Sequence, residues 1–237
     1  MTTDSTSPDA RINSISDEIL NYDLVVPQLI PGYTSLARLA VALLAASPMA
    51  AKAGSKVLVA GCGTGAELLE ARAQRPDWQL TAIDPSAEML AIAQTRLSDS
   101  SRVFWHCGTV ETLQTKTQFD GALAVLVLQS LADDGTKLAF LTSLAGSLQP
   151  GGQLVLVDLM RPERSPLQDQ VGRAWQAFQL ASGLTSLPEV TQLTDQRVLH
   201  PIGLGRLTAL VEAAGFSDPA PVFKALDFEG FLLQRAA

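Results

Sequence analysis

Between residues 55 and 160 the chain alternates short, wholly apolar runs with stretches of helical period, and few architectures tolerate that rhythm. "KVLVA" (56–60), "WQLTAID" (78–84), "RVFWHC" (102–107), "FDGALAVLVL" (119–128) and "GQLVLVDLM" (152–160) read as strands. Continuous apolar runs suit strands covered on both faces, where no solvent side calls for polar residues. "GAELLEARAQR" (65–75), "SAEMLAIAQTRL" (86–97) and "GTKLAFLTSLAGSL" (135–148) read as the helices between them. Such alternation implies parallel pairing through right-handed crossovers, so the expected fold class is α/β.

The flanks follow other patterns. Residues 1–14 lack periodicity and read as disordered. Helical segments near 15–29 and 34–46, divided by a turn at Pro31-Gly32, form an expected cap over 15–50. Residues 161–200 break the rhythm and read as a lid insertion holding the helix "LQDQVGRAWQAFQLAS" (167–182). A helix, "GLGRLTALVEAAGF" (203–216), and two strands hinged near Asp227 close the pattern.

With 237 residues, 47% of them hydrophobic, the chain can bury one sizeable core, so 15–237 is expected to be a single domain. The net charge of −7 disfavours a phosphate-backbone partner, and no nucleic acid is expected. Two cysteines, Cys62 and Cys107, do not make a disulfide framework; a reduced, cytoplasmic setting is the simplest reading. The polar N-terminus has no apolar signal core. "LARLAVALLAASPMAA" carries Arg38 and stops at Ser47-Pro48, short of the roughly 20 residues a bilayer span takes, so a buried helix is expected and no membrane. No His/Cys/Asp cluster has ligand spacing, so no metal is expected.

Chemistry concentrates at "VLVAGCGTGAE" (57–67). A glycine-rich turn from strand to helix lets a ligand approach the main chain, whose N–H groups and helix N-terminus offer donors. No Lys follows Gly65, which excludes a Walker loop. Gly61, Gly63 and Gly65, with Ala66 next, match a dinucleotide fingerprint only in part. Thr64 and Glu67 fit a capping box. Asp84 ends the second strand about 20 residues on, where a carboxylate can accept both ribose hydroxyls. The bland alternative is that Asp84 opens the turn "DPSAEM", with Ser86 as N-cap.

"VLVAGCGTG", "AIDPSAEML", "FDGALAVLVLQSL" and "LQPGGQLVLVDL" together resemble the successive motifs of class I S-adenosylmethionine-dependent methyltransferases, over about residues 55–160. The resemblance implies a Rossmann-like fold, a seven-stranded, mostly parallel sheet with helices on both faces. It also implies S-adenosylmethionine as cofactor and a small-molecule acceptor methylated on O or N. In that family the glycine loop meets the methionine part, which falls on Gly61, Gly63 and Gly65 with Ala60 and Cys62 between them. Asp84 would hold the ribose, and Pro85 and Met89 would flank the adenine. Gly108, Thr109 and Val110 would lie along the adenine edge; where many members place an acid, this chain has Thr109, so that contact is weaker or comes from the backbone of Thr109 and Val110. Leu126 completes the implied set.

"YDLVVPQLIPGYTSLARLAVALLA" and "LTDQRVLHPIGLGRLTALVEAAGF" are similar to the carboxy-S-adenosylmethionine synthase group, in which the tyrosine of the "PGY" turn, here Tyr33, contacts the cofactor. That group binds an extra carboxylate partly with an arginine. Around Thr185 no basic residue occurs, and an asparagine expected after the fourth strand is Val125. An unpaired buried carboxylate would cost several kcal/mol, so ordinary S-adenosylmethionine is the expected cofactor.

Methyl transfer needs mainly positioning, since the cofactor arrives activated. The candidates for a base are His106 and Asp158; the bland readings are a packed strand residue and a loop anchor. Arg161 and Arg164 suit an acidic substrate or solvent. Trp175 and Phe178 suit a pocket or a core stripe. His200 is expected to be structural, and Tyr22-Asp23 fits a closing flap or a surface helix. The rivals to a methyltransferase are a carboxy-S-adenosylmethionine synthase, a nicotinamide-dependent oxidoreductase and a non-catalytic cofactor-binding protein. A homodimer is an allowed assembly.

Overall fold

The computed structural model describes residues 22–97, 101–113, 118–184 and 199–236. The stretch expected to be disordered, the first part of the 15–29 segment and the Thr185 region lie outside the described residues. Two helices at about 90° to each other, α1 (Tyr22–Leu29) and α2 (Tyr33–Ala45), precede the sheet. They are divided by Gly32 at φ 80°, as the Pro31-Gly32 pair predicts.

The alternation then unfolds in order: β1 (Lys56–Ala60), α3 (Ala66–Gln74), β2 (Gln79–Asp84), α4 (Ala87–Arg96), β3 (Val103–Cys107) and β4 (Phe119–Val125). After these come α5 (Thr136–Ser147), β5 (Leu148–Leu159), α6 (Gln168–Ala181), α7 (Leu204–Ala213), β6 (Ala220–Ala225) and β7 (Phe228–Gln234). The strands form one seven-stranded sheet ordered β3-β2-β1-β4-β5-β7-β6. β1 through β5 pair in parallel, and β7 runs antiparallel to both β5 and β6.

The apolar runs explain the two cores. Successive strand residues point to opposite faces. Val57 and Val59 therefore join Leu80, Ala82 and Leu123 under α2, α3 and α4, whereas Leu58 and Ala60 join Ile83, Ala122 and Leu156 under α5 and α7. α2 is the buried helix expected of "LARLAVALLA", with Leu36, Ala40, Val41 and Leu44 inward. Among the described residues no single helix is long and apolar enough to cross a membrane. Gly121 of β4 allows α2 to lie close against the sheet: a Cβ there would stand 2.6 Å from Leu44 Cδ1.

Two strand expectations are corrected. β5 begins at Leu148, before Pro150 and Gly151, and pairs there with Phe119 ahead of a register shift. β4 ends at Val125 rather than Leu128. Leu126 turns to φ 60°, its N–H reaches Val157 O at 2.7 Å, and a short 3-10 turn spans Leu128–Ser130. Leu128 is apolar because it is buried in this turn, not because it extends the strand.

Asp158 stabilises that departure. Its carboxylate accepts Leu128 N–H at 2.7 Å and Gln129 N–H at 2.8 Å, while the fully buried Lys137 donates to Leu128 O. Burial pushes the Asp158 carboxyl up to about 7 against the opposing pull of these N–H groups and of Lys137. The same desolvation lowers Lys137.

Removing Asp158 takes the acceptor from the Leu128 and Gln129 N–H groups and a nearby opposite charge from the buried Lys137. Asp158→Ala should lower unfolding free energy by about 3–5 kcal/mol in urea titration. Gly121→Ala should cost about 1–3 kcal/mol by overpacking against Leu44, with a lower urea midpoint and an unchanged slope.

Candidate functional site

In an open α/β sheet the place where strand order reverses leaves a crevice at the carboxyl ends of the strands. Here the reversal lies between β1 and β4. A cavity of about 830 Å³ opens there, walled by the loop after β1, the end of β2, the turn after β3, the exit of β4 and the start of α5.

The glycine loop is built from backbone bonds. Cys62 N–H reaches Ile83 O at 2.9 Å, and Gly65 N–H reaches Cys62 O at 2.8 Å. The glycines serve different needs. A Cβ on Gly61 (φ 67°) would overlap the Val127 side chain across the crevice. Gly65 lets α3 approach α4, where a Cβ would lie 3.1 Å from Ala93 Cβ. Gly63 (φ 49°) has nothing within 4 Å of the position of a Cβ, and it lines the cavity. Its open face is a cradle that any side chain would narrow.

Asp84 is 8% exposed and also lines the cavity. Its Oδ2 accepts Gly63 N–H at 2.8 Å, and its Oδ1 accepts Ser86 N–H at 2.9 Å. Ser86 Oγ in turn caps α4 by accepting Met89 N–H. Asp84 therefore opens the turn that Ser86 caps and also stands on the cavity wall. A carboxylate offers about four acceptor positions, and these two bonds leave capacity for a ligand.

Of the expected cofactor residues, Gly61, Gly63, Asp84, Pro85, Met89, Gly108, Thr109, Val110 and Leu126 line this cavity together. Tyr33, Ala60, Cys62 and Gly65 stand behind its wall. Ala60 is in the core, and Cys62 is buried, which pushes its thiol up to about 12. Tyr33 lines a separate cavity of about 190 Å³ with Glu67 and Arg96, and burial raises its hydroxyl pKa far above the usual range. His106 lies outside the lining, its Nε2 2.9 Å from Thr112 Oγ1, where it braces the turn after β3. Asp158 is 1% exposed and occupied by backbone N–H groups, so its geometry is that of the loop anchor.

Glu111 is a cavity residue that the sequence does not single out. Glu111 enters the wall because a 3-10 turn over Val110–Thr112 swings the chain back at the end of β3. Only its position two residues past Thr109 could have marked it. Tyr22 of α1, which the sequence allowed as part of a closing flap or a surface helix, also lines the cavity, and burial pushes its hydroxyl up to about 12.

The expected Thr64–Glu67 capping box does not form. The N-cap of α3 is Gly65, without a side-chain bond, and the Thr64 hydroxyl donates instead to Asp23 Oδ1 at 2.6 Å. Glu67 is buried, which pushes its carboxyl up to about 7, opposed by its own backbone N–H and Arg96. Trp175 likewise turns from the cavity, its indole donating to Leu29 O at 2.7 Å and its ring meeting Phe228 edge-on. Among the described residues no group of three or more His, Cys, Asp or Glu side chains is placed to hold a metal ion.

Comparison with known proteins agrees with this geometry. The methyltransferase domain family matches residues 58–154. A demethylmenaquinone methyltransferase of Tropheryma whipplei (strain Twist) is 28% identical over 186 residues, 78% of this chain and 74% of that protein. A carboxy-S-adenosyl-L-methionine synthase of Pseudomonas putida (strain GB-1) is 25% identical over 235 residues, 93% of this chain and 94% of that one. In structure, a 1,6-didemethyltoxoflavin-N1-methyltransferase of Burkholderia thailandensis superposes with a TM-score of 0.60 at 18% identity, covering 100% of this chain and 94% of the other, a likeness of fold. Taken with the glycine loop and the carboxylate at the end of β2, these matches show a methyltransferase domain over residues 58–154 and a Rossmann-like fold similar to that of S-adenosylmethionine-dependent methyltransferases.

Proposed function

We propose that the cavity of about 830 Å³ holds S-adenosylmethionine and that the enzyme methylates a small molecule on oxygen or nitrogen. The observation that carries this reading is Asp84, a nearly buried carboxylate on the cavity wall with acceptor capacity left after Gly63 and Ser86. The residues present fit the cofactor. Asp84 would accept the ribose hydroxyls, and Gly63 would leave room against its backbone for the aminoacyl part. Met89, Val110 and Phe140 would give the base an apolar slot, and Glu111 would offer the acceptor for an exocyclic amine.

When bound, the cofactor supplies a methyl group already activated on sulfonium, so the protein's task is orientation and exclusion of water. Val125, Leu126 and Val127 wall the crevice at the exit of β4 and keep it apolar. His106 and Asp158 stand outside the lining, and neither is assigned as a base. The small-molecule acceptor is supported by relatives named demethylmenaquinone methyltransferase and ubiquinone biosynthesis O-methyltransferase. A cytoplasmic location rests on the two unpaired cysteines.

A second reading, a carboxy-S-adenosylmethionine synthase, is favoured by the end-to-end match with the Pseudomonas enzyme. Against it, no Lys, Arg or His is among the described residues lining the cavity, and Val125 gives a further carboxylate no donor. The position near Thr185 lies outside the described residues. Mass spectrometry of the cofactor carried through purification separates the two, because the carboxylated form is heavier.

Asp84→Ala should weaken S-adenosylhomocysteine binding by about 1.5–3 kcal/mol in calorimetry, the scale of hydrogen bonds to a charged group. Gly61→Ala should reduce binding as well, since the added methyl forces Val127 into the crevice. Unchanged affinity in Asp84→Ala refutes the ribose assignment.

A further inference from the structure

One carboxylate outside the cavity lining ties the first helix to the glycine loop. Asp23 of α1, next to Tyr22, accepts the Thr64 hydroxyl through Oδ1 at 2.6 Å and Arg96 Nη1 through Oδ2 at 2.6 Å. Arg96, in the last turn of α4, also donates to Thr64 O at 3.0 Å. Both polar groups of the residue between Gly63 and Gly65 that can reach outward are thereby held by other elements.

The ion pair alone carries little weight, since its side chains keep 35% and 34% exposure and solvent screens them. The bond from Thr64 differs: the residue is buried, and its hydroxyl meets a charged acceptor, which shortens and strengthens such a bond. The far end of α1 is fixed too, because Leu29 O accepts the Trp175 indole N–H. α1 is thus held at Asp23 and at Leu29 while Tyr22 lines the cavity.

A loop rich in glycine loses more conformational freedom on ordering than any other. Fixing it before the ligand arrives removes that cost from binding. We propose that Asp23 is a positioning residue for the cofactor site: through Thr64 and Arg96 it presets the glycine loop, and it makes α1 a strap that the cofactor must displace to enter or leave. This rests on reading the cavity as the S-adenosylmethionine site.

The test uses the full chain and S-adenosylhomocysteine as probe, with equilibrium affinity, dissociation rate and thermal midpoint measured for each variant. Asp23→Ala and Thr64→Val should each weaken binding about tenfold, the scale of one charge-assisted hydrogen bond, and speed dissociation by a similar factor. Thr64→Ser, which keeps the hydroxyl, should bind like wild type. Glu70→Ala, which breaks the 3.2 Å Arg38–Glu70 pair between α2 and α3, controls for loss of a surface ion pair and should leave affinity unchanged. Wild-type affinity and dissociation in both Asp23→Ala and Thr64→Val overturn the proposal, as does an equal loss in Glu70→Ala. Hydrogen exchange in the ligand-free protein separates this from the cavity reading. Asp23→Ala should deprotect the Gly63 and Gly65 amides even if the wild type binds no S-adenosylhomocysteine, and unchanged protection refutes the strap.

Discussion

The contact on which the crevice depends is the bond from Gly63 N–H to the Asp84 carboxylate. It closes the loop leaving β1 against the end of β2 and fixes the carboxylate in the same step. The other side of the crevice repeats the device. Asp158, on β5, accepts the N–H groups of Leu128 and Gln129 and so holds the loop leaving β4. The two central strands therefore have their exits fixed by acids on their outer neighbours. A crevice at the switch point needs both loops held apart, and a buried carboxylate that accepts two amides does so without exposing apolar surface.

The elements between β1 and β5 were legible because their signals are local. Apolar runs, glycines and N-caps sit where they act, and Ser86 at the start of α4 is one case. The failures share one physical cause, which is competition from residues distant in sequence. Thr64 and Glu67 have the capping-box pattern, but Asp23, 41 residues away, takes the Thr64 hydroxyl. Leu126 to Leu128 read as strand because burial and extension leave the same composition. Only the Leu126 φ of 60° and the bonds to Asp158 distinguish a turn.

The candidate site divides in the same way. Gly61, Gly63 and Asp84 were identifiable from a spacing that one crossover fixes. Glu111 was not, because its entry into the wall depends on a 3-10 turn over Val110–Thr112. Tyr33 was assigned by resemblance, yet it stands with Glu67 in the smaller cavity while Tyr22 faces the larger one. Asp158 kept two readings because its sequence position, the end of a buried strand, suits both a ligand contact and an anchor. Its burial and its three backbone donors are those of an anchor.

The order β5-β7-β6 places the last strand inside the sheet, with β6 at the margin. β6 has no ladder to β5 and joins only through β7. During synthesis, residues 220–225 must wait, unpaired, until residues 228–234 have left the ribosome and slotted in beside β5. That margin is consequently completed only once both of its strands have been made, whereas the crevice between β1 and β4 is lined by residues that precede them in the chain.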